Sequence, residues 1–92
     1  MKNDVLEQLK RNEGKYDGLT IKAGLEIFLL HINNNTESGN VDIEILRNDE
    51  LEATIFDAYP QNIGTQSISS ISDTFATVNE KIATDIMDVV HN

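Results

Sequence analysis

From Leu19 the chain alternates with a period of two. Leu19, Ile21, Ala23, Leu25, Ile27 and Leu29 point one way, and Thr20, Lys22, Gly24 and Glu26 the other, as in a half-buried strand. Phe28, Leu30 and Ile32 are then apolar on the second side as well, which makes 25–32 the most apolar stretch of the protein. The pattern predicts a strand over 19–32, with Gly24 marking a bend or bulge that divides it. Residues 33–40 (NNNTESGN) form a polar loop. Val41, Ile43 and Ile45 alternate with Asp42 and Glu44, predicting a second strand over 41–47. Leu51, Ala53 and Ile55 alternate with Glu52, Thr54 and Phe56, predicting a third over 50–57.

The short connection between the last two strands fixes an expected register. A two-residue turn at Asn48-Asp49 would oppose Ile45 to Glu52 and Ile43 to Thr54. A three-residue loop of Arg47, Asn48 and Asp49 pairs Ile45 with Leu51, Ile43 with Ala53 and Val41 with Ile55. Since a slip of one residue sends every side chain to the other face, burial favours the three-residue loop. Successive hairpins give a meander whose first strand lies at an edge.

Outside this block the apolar period lengthens. Val5, Leu6 and Leu9 follow Asn3, a candidate N-cap, and predict a short helix over about 3–13 that ends at Gly14. Ile68, Ile71, Phe75, Val78, Ile82, Ile86 and Val89 recur at spacings of three and four, predicting a long helix over 67–90 capped by Ser67 or Ser70. The expected architecture is α+β in a single domain, 1–92: a short helix, a three-stranded antiparallel meander, and a long amphipathic helix on the sheet's odd-numbered face.

Composition narrows the chemistry. The chain has 92 residues, 39% hydrophobic and 25% charged, and no cysteine, which excludes disulfides and thiolate sites. The first residues lack the apolar run of a signal peptide and no span suits a membrane, so a cytoplasmic location is expected. Charge is lopsided. Residues 1–22 carry five bases against four acids (+1) and residues 23–92 two bases against twelve acids (−10), giving the net −9. Such a field repels nucleic acid and anionic membrane and speeds encounter with basic surfaces.

No catalytic motif is present. His31 and His91 have no partners at ligand spacing, and the rhythm of Asn33, Asn35, Glu37 and Glu44 echoes a calcium loop with its glycine displaced. No metal, cofactor or catalytic activity is expected. Two surfaces are. In the favoured register Glu44 faces Glu52, with Asp42 and Glu26 on the same side. Carboxylates two apart on a strand repeat every ~6.8 Å, broadly comparable to the phosphate spacing of a nucleic-acid strand. This acidic face is either simply solvated, relieved by Lys22 or Arg47, or a binding patch of Glu26, Asp42, Glu44 and Glu52 with Phe28 and Phe56 as anchors. The second is the first strand, whose Leu25, Ile27, Leu29, Leu30 and Ile32 would make an exposed apolar edge able to pair with a second copy.

In element order and acidity the chain resembles some phage-encoded anti-CRISPR proteins. That resemblance implies an inhibitor, comparable to an immunity protein, that occupies a basic, nucleic-acid-binding surface of a target protein without touching nucleic acid itself. The segment 78–86 (VNEKIATDI) is similar to the closing helix of transport-auxiliary lipoproteins, a class whose signal peptide and acylated cysteine are missing here. The alternative function is a structural subunit that forms a homodimer through the first strand.

Overall fold

The computed structural model describes residues 1–92. In chain order it comprises α1 (Lys2–Lys10), β1 (Thr20–Ala23), β2 (Glu26–Asn35), β3 (Asn40–Arg47), β4 (Glu50–Pro60), a 3-10 turn (Ile63–Thr65) and α2 (Ile68–Val90). The strands form one antiparallel sheet in the order β1-β2-β3-β4. Both helices lie on the same side of it, α1 against β1 and α2 against β4, and they pack on each other. The α+β class is as expected; the sheet has four strands rather than three, and the long helix lies against β4 beside α1 instead of crossing the sheet alone.

The extra strand comes from Gly24. Ala23 pairs with Glu26, so Gly24 and Leu25 form a two-residue hairpin loop rather than a bend. Gly24 has φ +64°, at the first loop position, where a II′ hairpin requires positive φ. This loop reverses the parity of everything after it. Ile21 and Ala23 are buried before it, and Phe28 and Leu30 after it, while Ile27 and Leu29 face solvent. The helix-covered face is therefore odd-numbered on β1 and β3 and even-numbered on β2, not odd throughout.

The β3–β4 connection also differs. Arg47 pairs with Glu50 across a two-residue turn, and Asn48 and Asp49 have φ +54° and +64°, the signature of a I′ hairpin. The turn alone would oppose Ile45 to Glu52. Instead a β-bulge follows Leu46–Leu51: Ile45 pairs with Ala53 and Ile43 with Ile55. Burial does align odd residues with odd ones, but an extra residue in β4 does it rather than an extra residue in the loop.

Strand ends extend beyond the apolar pattern. β2 runs to Asn35 because Asn33, Asn34 and Asn35 pair with Asp42, Val41 and Asn40. Asn35 then closes the turn, its side-chain oxygen accepting from the N–H groups of Glu37 and Ser38. β4 runs to Pro60, which an edge strand tolerates because no outer partner needs its N–H. α1 begins at Lys2 without a side-chain cap, whereas Ser67 Oγ caps α2 by accepting from Ser70 N at 3.2 Å.

One core joins the layers. Val5 and Leu9 of α1 and Val78, Ile82 and Ile86 of α2 meet Ile21, Phe28, Leu30, Ile43 and Ile45, all essentially without solvent contact. Burying each such side chain stabilises the fold by roughly 1.5–3 kcal/mol. Within it the Tyr16 hydroxyl donates to Asn79 Oδ1 at 2.6 Å, and Asn79 Nδ2 donates to Glu13 Oε2 at 2.8 Å. Tyr16 also packs against the rings of Tyr59 and Phe75 at 6.2 and 5.9 Å.

Candidate functional site

Helices cover one face of the sheet and leave the other open. The register aligns side chains on the open face in rows. Thr20, Leu29, Leu46 and Leu51 form one row across all four strands; Lys22 and Ile27 flank it on one side, and His31, Glu44 and Thr54 on the other. Ile27, Leu29 and Leu51 are substantially exposed, as is Phe56 farther along β4. This is an apolar stripe bordered by polar groups.

The six residues expected to form an acidic patch do not share one surface. Phe28 is fully buried and cannot meet a partner. Glu26 and Glu52 lie on the helix side, converging on Arg47 at 3.6 and 3.5 Å, and that guanidinium sits 5.9 Å from the centre of the Phe28 ring. Asp42, Glu44 and Phe56 are on the open side. Asp42 is only 5% exposed, its carboxylate accepting from Asp57 N at 2.8 Å. This bond holds Asp57 at φ +53° in a second bulge. Glu44 faces Thr54 rather than Glu52 and pairs with His31 at 2.8 Å. The bulge that realigns the apolar residues thus also separates Glu44 from Glu52, and the like-charge ladder does not form.

The expected edge strand is interior. β2 is bonded to β3 on one side and β1 on the other. Past β1, Leu30 exchanges backbone bonds with Gly18 and Leu19, and Ile32 N donates to Asp17 Oδ1. Leu25 projects from the turn, Ile27 and Leu29 lie on the open face, Leu30 is in the core, and Ile32 packs partly buried against the core. These five residues offer no common edge to a second copy.

The true edges are β1 and β4. On β1, Gln8 from α1 acts as a strand substitute: its Nε2 donates to Lys22 O at 2.8 Å and its Oε1 accepts from Lys22 N at 2.9 Å. β4 has no such cover, but its two bulges and its acids Glu50, Glu52 and Asp57 break up a regular edge. A shallow polar groove of about 430 Å³ runs between β4 and α2, lined by Thr54, Ile55, Thr77, Glu80, Lys81, Thr84 and Asp85. Burial raises the Asp85 pKa above the ordinary carboxylate value, and nearby Asp88 adds to the shift. No group of three or more His, Asp or Glu side chains is placed to hold a metal ion, and no helix is long and apolar enough to cross a membrane.

Two features were missed in the sequence: the Leu29–Leu46–Leu51 row and the Gln8 clamp. Reading Gly24-Leu25 as a hairpin turn would have revealed the first, by moving Leu29 to the open side. Nothing local announces the second, which joins residues fourteen positions apart. No protein-family model matches the chain, and neither curated proteins nor solved structures show a match to it.

Proposed function

We propose that the protein is a non-catalytic binding module that occupies a basic surface of a partner protein, a surface of the sort that otherwise holds nucleic acid. The carrying observation is the charge of the β3–β4 hairpin. Residues 40–60 hold six acids (Asp42, Glu44, Asp49, Glu50, Glu52, Asp57) against one base, Arg47, for a net −5 of the chain's −9. Arg47 is already engaged by Glu26 and Glu52. Asp49, Glu50 and Asp57 are exposed and have no cation beside them. A turn with two fixed positive-φ residues presents Asp49 and Glu50 with little conformational freedom, which lowers the entropy lost on binding. An inhibitor of the anti-CRISPR or immunity kind is the version of this role that the element order and acidity favour.

The test is capture from a cell extract at low ionic strength, followed by titration of the identified partner. Binding should weaken steeply with salt, nucleic acid should compete, and the double charge reversal Asp49→Lys, Glu50→Lys should abolish it. A partner held equally well by that variant, or indifferent to salt, would remove the acidic hairpin from the function.

A further inference from the structure

The open face of the sheet is apolar in a molecule that is otherwise acidic. Of the residues that the register places on it, only Lys22, Asp42 and Glu44 carry a formal charge, which sums to −1 of the chain's −9 with His31 neutral. Both carboxylates are already engaged, Asp42 with the Asp57 N–H and Glu44 with His31. Ile27, Leu29 and Leu51 nevertheless stand 56, 38 and 55% exposed. Depletion of charge around exposed apolar side chains is the composition of an interface centre.

We infer that the occupant of this face is a second copy of the chain, laid sheet against sheet about a two-fold axis so that the Leu29–Leu46–Leu51 rows of the two copies meet. A basic partner is not what the centre of this face recognises, because its middle row is apolar and the Asp42 and Glu44 carboxylates beside it are already engaged. A like surface brings only one net negative charge per copy to the contact and covers the apolar row in both molecules at once. The area is sufficient. Four strands at ~4.8 Å spacing and about eight residues at ~3.3 Å give roughly 500 Å² per copy, or about 1,000 Å² in all, at the lower bound for a specific interface. The dimer is therefore weak. Neither edge competes for this role: Gln8 closes β1 and bulges disrupt β4. The contact is independent of the hairpin's proposed partner.

Sedimentation equilibrium tests it. Across about 1 µM to about 1 mM, the range in which so small an interface associates, the apparent mass should climb from 10.3 kDa towards twice that value. Added salt should tighten the dimer by screening two chains of −9 each, opposite to its effect on the basic partner, so failure of either reading leaves the other legible. Leu29→Glu and, separately, Leu46→Glu should stay monomeric at every concentration while circular dichroism shows native secondary structure. Should either variant unfold, dilution of wild-type protein carries the test: methyl signals of Ile27, Leu29 and Leu51 should move, and those of Thr77 and Thr84 beside β4 should not. A wild-type chain that remains at 10.3 kDa throughout, or dilution shifts confined to the β4–α2 groove, would overturn the inference.

Discussion

The two faces of the sheet are made by the same strands and both carry aliphatic residues, yet they behave differently. Phe28, Leu30, Ile43 and Ile45 are sealed beneath α1 and α2, while Ile27, Leu29, Leu46 and Leu51 look outward. Each face has a cross-strand apolar row. What separates them is the helix layer, held to one side by Val5, Leu9, Val78 and Ile82. Hydrophobicity therefore says that a side chain seeks cover, and topology decides whether the chain's own helices or another molecule provides it.

Substitutions across the two faces should break this comparison most sharply. Phe28→Ala empties a fully buried ring site and should cost about 3–5 kcal/mol of unfolding free energy in a urea titration. If it cost no more than an open-face change, the assignment of faces would be wrong. Tyr16→Phe should cost about 1–3 kcal/mol, because it strands the buried Asn79 Oδ1 without its donor. Gln8→Ala removes both bonds to Lys22 and should cost about 1 kcal/mol, with faster hydrogen exchange at the Lys22 amide as the specific readout. Ile27→Ser on the open face should shift stability by no more than about 0.5 kcal/mol, while weakening self-association.

Alkaline pH sharpens the same contrast without mutation. Burial raises the pKa of Tyr16, with Glu13 and Tyr59 adding to it, and burial with Asp17 raises that of Tyr59, both above the ordinary 10.0. The folded chain thus holds phenol protons that the unfolded chain releases from pH 10 upward. Stability is unaffected by these groups below that value and falls as pH rises through and beyond it. Ultraviolet titration of tyrosinate should coincide with loss of the folded circular-dichroism signal. Free titration of both phenols in a folded chain would contradict their burial.

Much of the architecture was legible in the sequence because it rests on uninterrupted periods. β3 has Val41, Ile43 and Ile45 on one parity and only Leu46 on the other, and its predicted span, 41–47, falls within Asn40–Arg47. The three- and four-residue stripe of α2 and its Ser67 cap were equally plain. The first strand misled because 27–32 is apolar on both parities, so alternation cannot say which half faces the core. A two-residue turn at Gly24 settles that choice. The β3–β4 turn misled for a complementary reason. Burial disfavours its two-residue form, which on its own opposes Glu52 to Ile45, but a bulge at Glu52 absorbs the offset. The acidic ladder rested on that register, and it dissolved into the separate Arg47 and His31 pairs. Asp49 and Glu50, which carry no local motif, stand at the exposed turn instead.

The Gln8 clamp has a consequence for how far the sheet can grow. A strand edge is a template that recruits further strands until something stops it. Here one side-chain amide, delivered by the first helix, occupies the Lys22 hydrogen-bonding position that a fifth strand would take. Termination of the sheet is thus reversible and tied to helix docking. Gln8→Ala, which leaves Val5 and Leu9 in the core, should free that position, and two β1 edges should then pair with each other, with growth ending there because the bulged β4 offers no regular edge.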